Sequence, residues 1–165
     1  MNTKPNKGFT LVELIVVILL LAIISATAIS RFGGRQVYEL YALQEQASSV
    51  IRQIQLNRMQ SNMNMSVSGA ESLRLVAANN CIGAQSACDN TSETRSDVIT
   101  SDDYSFTSVP TSSYSSPIEF NLLGNPENTA SSGVQITISS NNSSDRAWVC
   151  INSQGFVYPS NQVCP

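Results

Sequence analysis

The pair Gly8-Phe9 stands between a short basic leader and an apolar run ending at Ile29, and the only ionisable side chain in that run is Glu13. Phe9 to Ile29 is 21 residues, roughly 32 Å as a helix and enough to cross a bilayer. A charge at mid-bilayer costs about 2.5–3.5 kcal/mol on insertion scales, so Glu13 needs a task or a partner. The other reactive side chains are four cysteines, Cys81, Cys88, Cys150 and Cys164. An even set on one side of an apolar span reads as two disulfides. Four cysteines allow three pairings. Cys81–Cys88 with Cys150–Cys164 is favoured because each closes a short loop. Zinc is the alternative, but there is no histidine and no tight Cys-x-x-Cys spacing. The missing histidine also removes the usual general base. G-x-S-x-G and P-loop motifs are absent as well. Asp97 with Asp102-Asp103 fits no calcium loop and reads as a solvated acidic turn. No enzyme, cofactor or metal site is expected.

Lys7-Gly8-Phe9-Thr10-Leu11-Val12-Glu13-Leu14 and the unbroken hydrophobicity behind it resemble the processing site of type IV prepilins and of the type II secretion pseudopilins. The resemblance covers about 25 of the 165 residues. It implies cleavage after Gly8 by a prepilin peptidase and N-methylation of the new N-terminus, Phe9. It also implies that Glu13 pairs with the N-terminal amine of a neighbouring subunit. An ordinary secretory signal is the rival, with Lys4 and Lys7 as its basic region and Ala26-Thr27-Ala28 as a small-x-small cleavage site. That reading, like a plain signal-anchor, leaves Glu13 and Gly8-Phe9 without a role.

Charge divides along the chain. The net charge is −3, and loss of the leader with Lys4 and Lys7 takes it to −5. From Asn62 onward three arginines face nine acids. Such a head offers no basic footprint for phosphates, so no direct nucleic-acid partner is expected. The basic leader places itself in the cytoplasm, with the acidic, cysteine-bearing part on the oxidising side, and the resemblance places the span in the inner membrane. The resemblance implies a single-pass precursor that becomes part of a surface pilus, with other pilin subunits as partners.

Elements follow from pattern. Ser30, Arg31 and Gly33-Gly34 mark the end of the span and a bend. Leu40, Leu43, Ala47, Val50 and Ile54 recur every three or four residues, an amphipathic helix that ends before the polar stretch 62–71. Strands are expected over Leu73 to Ala77, Tyr104 to Val109, Ile118 to Leu122, Val134 to Ile138, Trp148 to Ile151 and Phe156 to Tyr158, the last two joined as a hairpin. The Ser/Thr/Asn-rich stretches 91–101 and 125–144 read as solvated loops. The fold class is α+β, a long N-terminal helix packed on a C-terminal antiparallel β-sheet head. The expected organisation is a leader 1–8, a transmembrane and filament-core helix 9–33, an amphipathic helix 34–60 and a β-rich head 61–165. Ile118-x-Phe120-x-x-x-Gly124, with Trp148-Val149-Cys150-Ile151 and Gly155-Phe156-Val157, is similar to the C-terminal sheet of minor pilins and H-type minor pseudopilins. The layout is most similar to minor pilins of mannose-sensitive haemagglutinin pili. These resemblances imply a minor pilin acting in pilus assembly and surface attachment, the alternative being a minor pseudopilin of type II secretion. A tethered periplasmic carbohydrate binder that never polymerises would leave Glu13 and Gly8-Phe9 unused.

Overall fold

A computed structural model describes residues 9–29, 35–90, 95–110 and 116–165, with side chains of 27–29, 35 and 36 left aside. The leader with Gly8, the expected bend at Gly33-Gly34 and Arg31 lie outside the described residues. The chain forms two compact units, Met1–Tyr38 and Glu39–Pro165. Helix α1, Leu11–Ile29, belongs to the first unit, while helix α2, Arg35–Gln60, begins there and continues into the second.

In the second unit the stripe of α2 is the seat of the core. Leu40, Leu43, Ala47, Val50 and Ile54 are all buried, joined by Ile51. They pack in one cluster with Phe106, Phe120, Ile136, Ile138 and Val149. The strands are β1 (Leu75–Ala78), β2 (Cys81–Ala84), β3 (Val98–Thr100), β4 (Tyr104–Val109), β5 (Gly133–Ser140), β6 (Arg146–Asn152) and β7 (Val157–Ser160). A short helix α3, Gln85–Asp89, follows β2. The α+β arrangement expected from the sequence is the one observed. The strands divide into two antiparallel sheets, ordered β1-β2-β3 and β4-β5-β6-β7, where one sheet was expected. Single bridges, Leu75 to Ile118 and Asn79 to Phe106, link the first sheet to the remainder of the head.

Alternation sets the faces of the larger sheet. Val134, Ile136 and Ile138 are buried with α2, and Gly133, Gln135, Thr137 and Ser139 point the other way. The Ser/Thr/Asn-rich stretches are not simply loops. β3 lies in the first, and β5 with a 3-10 turn at Asn128–Ala130 lies in the second. Thr100 of β3 is exposed, and Thr137 and Ser139 lie on the face of β5 opposite its buried residues. The expected strand at Ile118 to Leu122 is replaced by isolated bridges. Ile118 and Phe120 are buried but Leu122 is exposed. There the chain turns, with Asn121 Oδ1 accepting from the N–H groups of Leu123 and Asn125 at 2.9 and 3.0 Å.

Candidate functional site

At the start of α1, Thr10 Oγ1 accepts the N–H of Glu13 at 3.2 Å. Thr10 is thereby the N-cap and Glu13 the third helical residue, which satisfies one of the orphan donors of the first turn. The spacing Thr-x-x-Glu is the sequence signature of a capping box, a signal that the apolar run conceals. Glu13 also stands in the first turn, where the helix dipole favours a carboxylate. Phe9, two residues before the helix, is 79% exposed.

Every described side chain of α1 from Leu11 to Ala26 is exposed. The helix is apolar on all its faces rather than along one stripe. Leaving it in water forfeits about 25 cal/mol per Å² of apolar surface, so the segment calls for lipid or other helices around it. Among the described residues no helix is both long and apolar enough to cross a membrane. Residues 30–33 of the span expected from the sequence lie outside the described residues.

In the head, Cys81 is bridged to Cys88 and Cys150 to Cys164, seven and fourteen residues apart. Among the described residues none of the cysteines is free and no group of three metal-ligating side chains is present. Asp97, grouped above with an acidic turn, is instead buried and engaged by Arg95, whose Nε and Nη2 donate to its two oxygens at 2.8 and 2.7 Å. Hydrogen bonding from Arg95 outweighs burial and holds the Asp97 carboxyl below its ordinary range. Asp102 and Asp103 lie in an exposed turn, with Asn141 Nδ2 donating to Asp102 O and Asn142 Nδ2 to Asp103 Oδ1.

The sequence pattern did not reveal a row of polar side chains on α2 that reach into the head. Gln44 Nε2 donates to the carbonyls of Trp148 and Ser160, and Arg52 Nη2 to that of Val157. Gln55 Nε2 donates to Gly124 O and Gly155 O, both at 2.8 Å, and Arg58 Nε to Phe120 O at 2.9 Å. Two of these acceptors, Ser160 O and Val157 O, lie on β7, at the edge of the larger sheet. The helix thus supplies donors to that edge as well as apolar cover to the face.

An apolar helix whose capped first turn holds the run's lone carboxylate thus precedes an α+β head. The family profile described as the prokaryotic N-terminal methylation motif matches residues 3–29, which supports a type IV prepilin-like class. It points to a structural subunit rather than an enzyme, and in general terms to other pilins and a prepilin peptidase as partners. No curated protein and no solved structure matches the chain.

Proposed function

We propose that this chain is a minor pilin of a type IV pilus. It is made as a single-pass inner-membrane precursor, with residues 1–8 in the cytoplasm and the head in the periplasm. Prepilin peptidase cuts between Gly8 and Phe9, and Phe9 is N-methylated. Cutting removes two positive charges, Lys4 and Lys7, and exposes an amine. In the bundled helices of a filament an uncompensated carboxylate or ammonium costs several kcal/mol. Pairing of Glu13 with the Phe9 amine of a neighbour offsets both charges and sets the axial register, while Leu14 to Ile24 pack against equivalent helices. The larger sheet and its α2 cover form the surface-exposed head, with a part in attachment.

The observation that carries this reading is the coincidence of the methylation motif over 3–29 with an apolar, outward-facing helix whose one carboxylate is Glu13. A pseudopilin of type II secretion would use the same segment. An in-frame deletion, complemented in trans, separates the two when surface filaments and exported proteins are scored in the same cultures. Loss of filaments and attachment with a normal exoproteome is the expected result. Exoproteins retained in the periplasm with filaments intact would overturn it.

A further inference from the structure

We propose that the head holds a binding site for a neutral saccharide on the face of the larger sheet turned away from α2. Val109, Gln135, Cys150 and Tyr158 are partners in successive strands and form one cross-strand row. Their odd-even phase is opposite to that of the core residues Val134, Ile136, Val149 and Val157, so the row lies on the other face, where Val109 is exposed, Gln135 and Tyr158 are half-buried and Cys150 is covered. It floors a cavity of about 560 Å³, within the range of small-ligand sites. One wall is the chain from Val163 to Pro165, fixed by the Cys150–Cys164 bridge and by the Cys164 N–H donating to Gln135 Oε1 at 3.0 Å.

The lining determines the class of ligand. Among the described residues no Asp, Glu, Lys or Arg side chain borders the cavity. A phosphate or a nucleotide would lose hydration there with no cationic partner. A purely apolar ligand would strand the polar groups that are present, the amides of Gln135 and Asn152 and the hydroxyls of Ser132, Ser153 and Tyr158. The oxygens of the Gln135 and Asn152 amides are taken by main-chain N–H groups, so their N–H groups donate while the hydroxyls both donate and accept, which matches the adjacent hydroxyls of a sugar. The Tyr158 ring stacks on Phe156, centroids 5.6 Å apart and planes at 21°. It gives a fixed aromatic surface whose negative face attracts the C–H groups of a pyranose. Asn152 is held in place as well, its Oδ1 accepting from the N–H groups of Gln154 and Phe156 at 3.0 and 2.9 Å. The site uses only residues of the head and stands apart from the prepilin reading.

The test uses the full chain in micelles of a detergent without a sugar headgroup, with saturation-transfer NMR and calorimetry. Cellobiose, mannobiose and N,N′-diacetylchitobiose are the neutral probes, and sialyllactose is the anionic one. At least one neutral disaccharide is expected to bind, about tenfold or more tighter than sialyllactose. Tyr158→Ala should weaken that binding about tenfold, while Tyr158→Phe, which keeps the ring, stays within about threefold. Ser153→Trp, placed on an exposed turn, should fill the mouth and abolish binding with the far-UV circular dichroism unchanged. It decides the matter if Tyr158→Ala fails to fold. No binding of any neutral probe at about 10 mM, preference for sialyllactose, or binding unaffected by Ser153→Trp would each overturn the proposal.

Discussion

Glu13 has a local reason to exist besides the pairing that the prepilin resemblance implies. Its main-chain N–H, which any residue but proline would supply, meets the Thr10 cap, and its carboxylate stands where the helix dipole favours negative charge. Substitutions separate the two roles. Glu13→Gln keeps a residue suited to the third position of a capping box but removes the charge, and Glu13→Val removes both. Thr10→Ala leaves the charge and costs about 1 kcal/mol of helix start. If charge pairing governs assembly, both Glu13 variants insert in the membrane but are depleted from sheared filaments on immunoblots, and Thr10→Ala is incorporated nearly normally. The reverse order would make Glu13 a helix-start residue only. Asp97 gives a second residue-scale prediction. Its carboxyl is held below the ordinary range by Arg95, so the stabilisation is complete above its unfolded value of about 3.9 and is lost as pH falls through the depressed folded one. Asp97→Asn should therefore lower the melting temperature at neutral pH, with a difference that shrinks as pH drops below about 4. A difference independent of pH would show that the ion pair is not its source.

Among the elements, α2 has the largest task, and its sequence discloses half of it. The apolar stripe was legible because five residues spaced by three and four can only share one helical face. Gln44, Gln55 and Arg58 were not, because a polar residue on such a helix reads as solvated until its acceptor is known. Here the acceptors are main-chain carbonyls far along the chain, 104 residues away for Gln44 and Trp148. Gln55 ties together two turns, 121–125 and 152–156, which meet so closely that a Cβ on Gly155 would lie 2.3 Å from Gly124 O. Gln55→Ala should cost about 1–3 kcal/mol in urea unfolding, since it strands buried carbonyls. Gly155→Ala should cost at least as much, its φ of +77° adding strain to the clash. Gln53→Ala, which loses only an exposed bond to Ser96 Oγ, should change stability little. Equal effects for Gln53 and Gln55 would refute the tie. The remaining gaps in legibility are those of size. β2 and β3 are four and three residues long, too short for alternation to show. The turn that pairs Ala78 with Cys81 is Asn79-Asn80, with Asn79 at φ 56°, and two asparagines announce a hairpin less plainly than Asn-Gly.

For the whole molecule, the division of charge and of apolar surface along the chain is what the sequence displays most openly. The basic leader, the apolar segment and the acidic head are contiguous blocks, and each can be read without knowing the fold. What holds the head together is less visible, because the two bridges are local, in the pairing favoured from the short loops they close. Cys81–Cys88 lies in a small cluster with Val76, while Cys150–Cys164 ties the C-terminal segment to β6 of the larger sheet. Neither connects α2 to a sheet; the shared core of Ile51, Ile54, Phe106, Phe120 and Ile136 does. Closing loops of these lengths stabilises by about 2.5 kcal/mol for the first and about 3 kcal/mol for the second in the chain-entropy view. Cys81→Ala with Cys88→Ala, and Cys150→Ala with Cys164→Ala, should therefore each lower the denaturant midpoint of the full chain in micelles and leave one cooperative transition. The two losses should add within about 0.5 kcal/mol, since the bridges share no partners. Unfolding of either pair at neutral pH would show that the bridges, not the α2 core, carry the head. Only the second pair removes a wall of the outer cavity, so it alone should abolish binding of a neutral disaccharide, and equal loss in both would trace that binding to general stability.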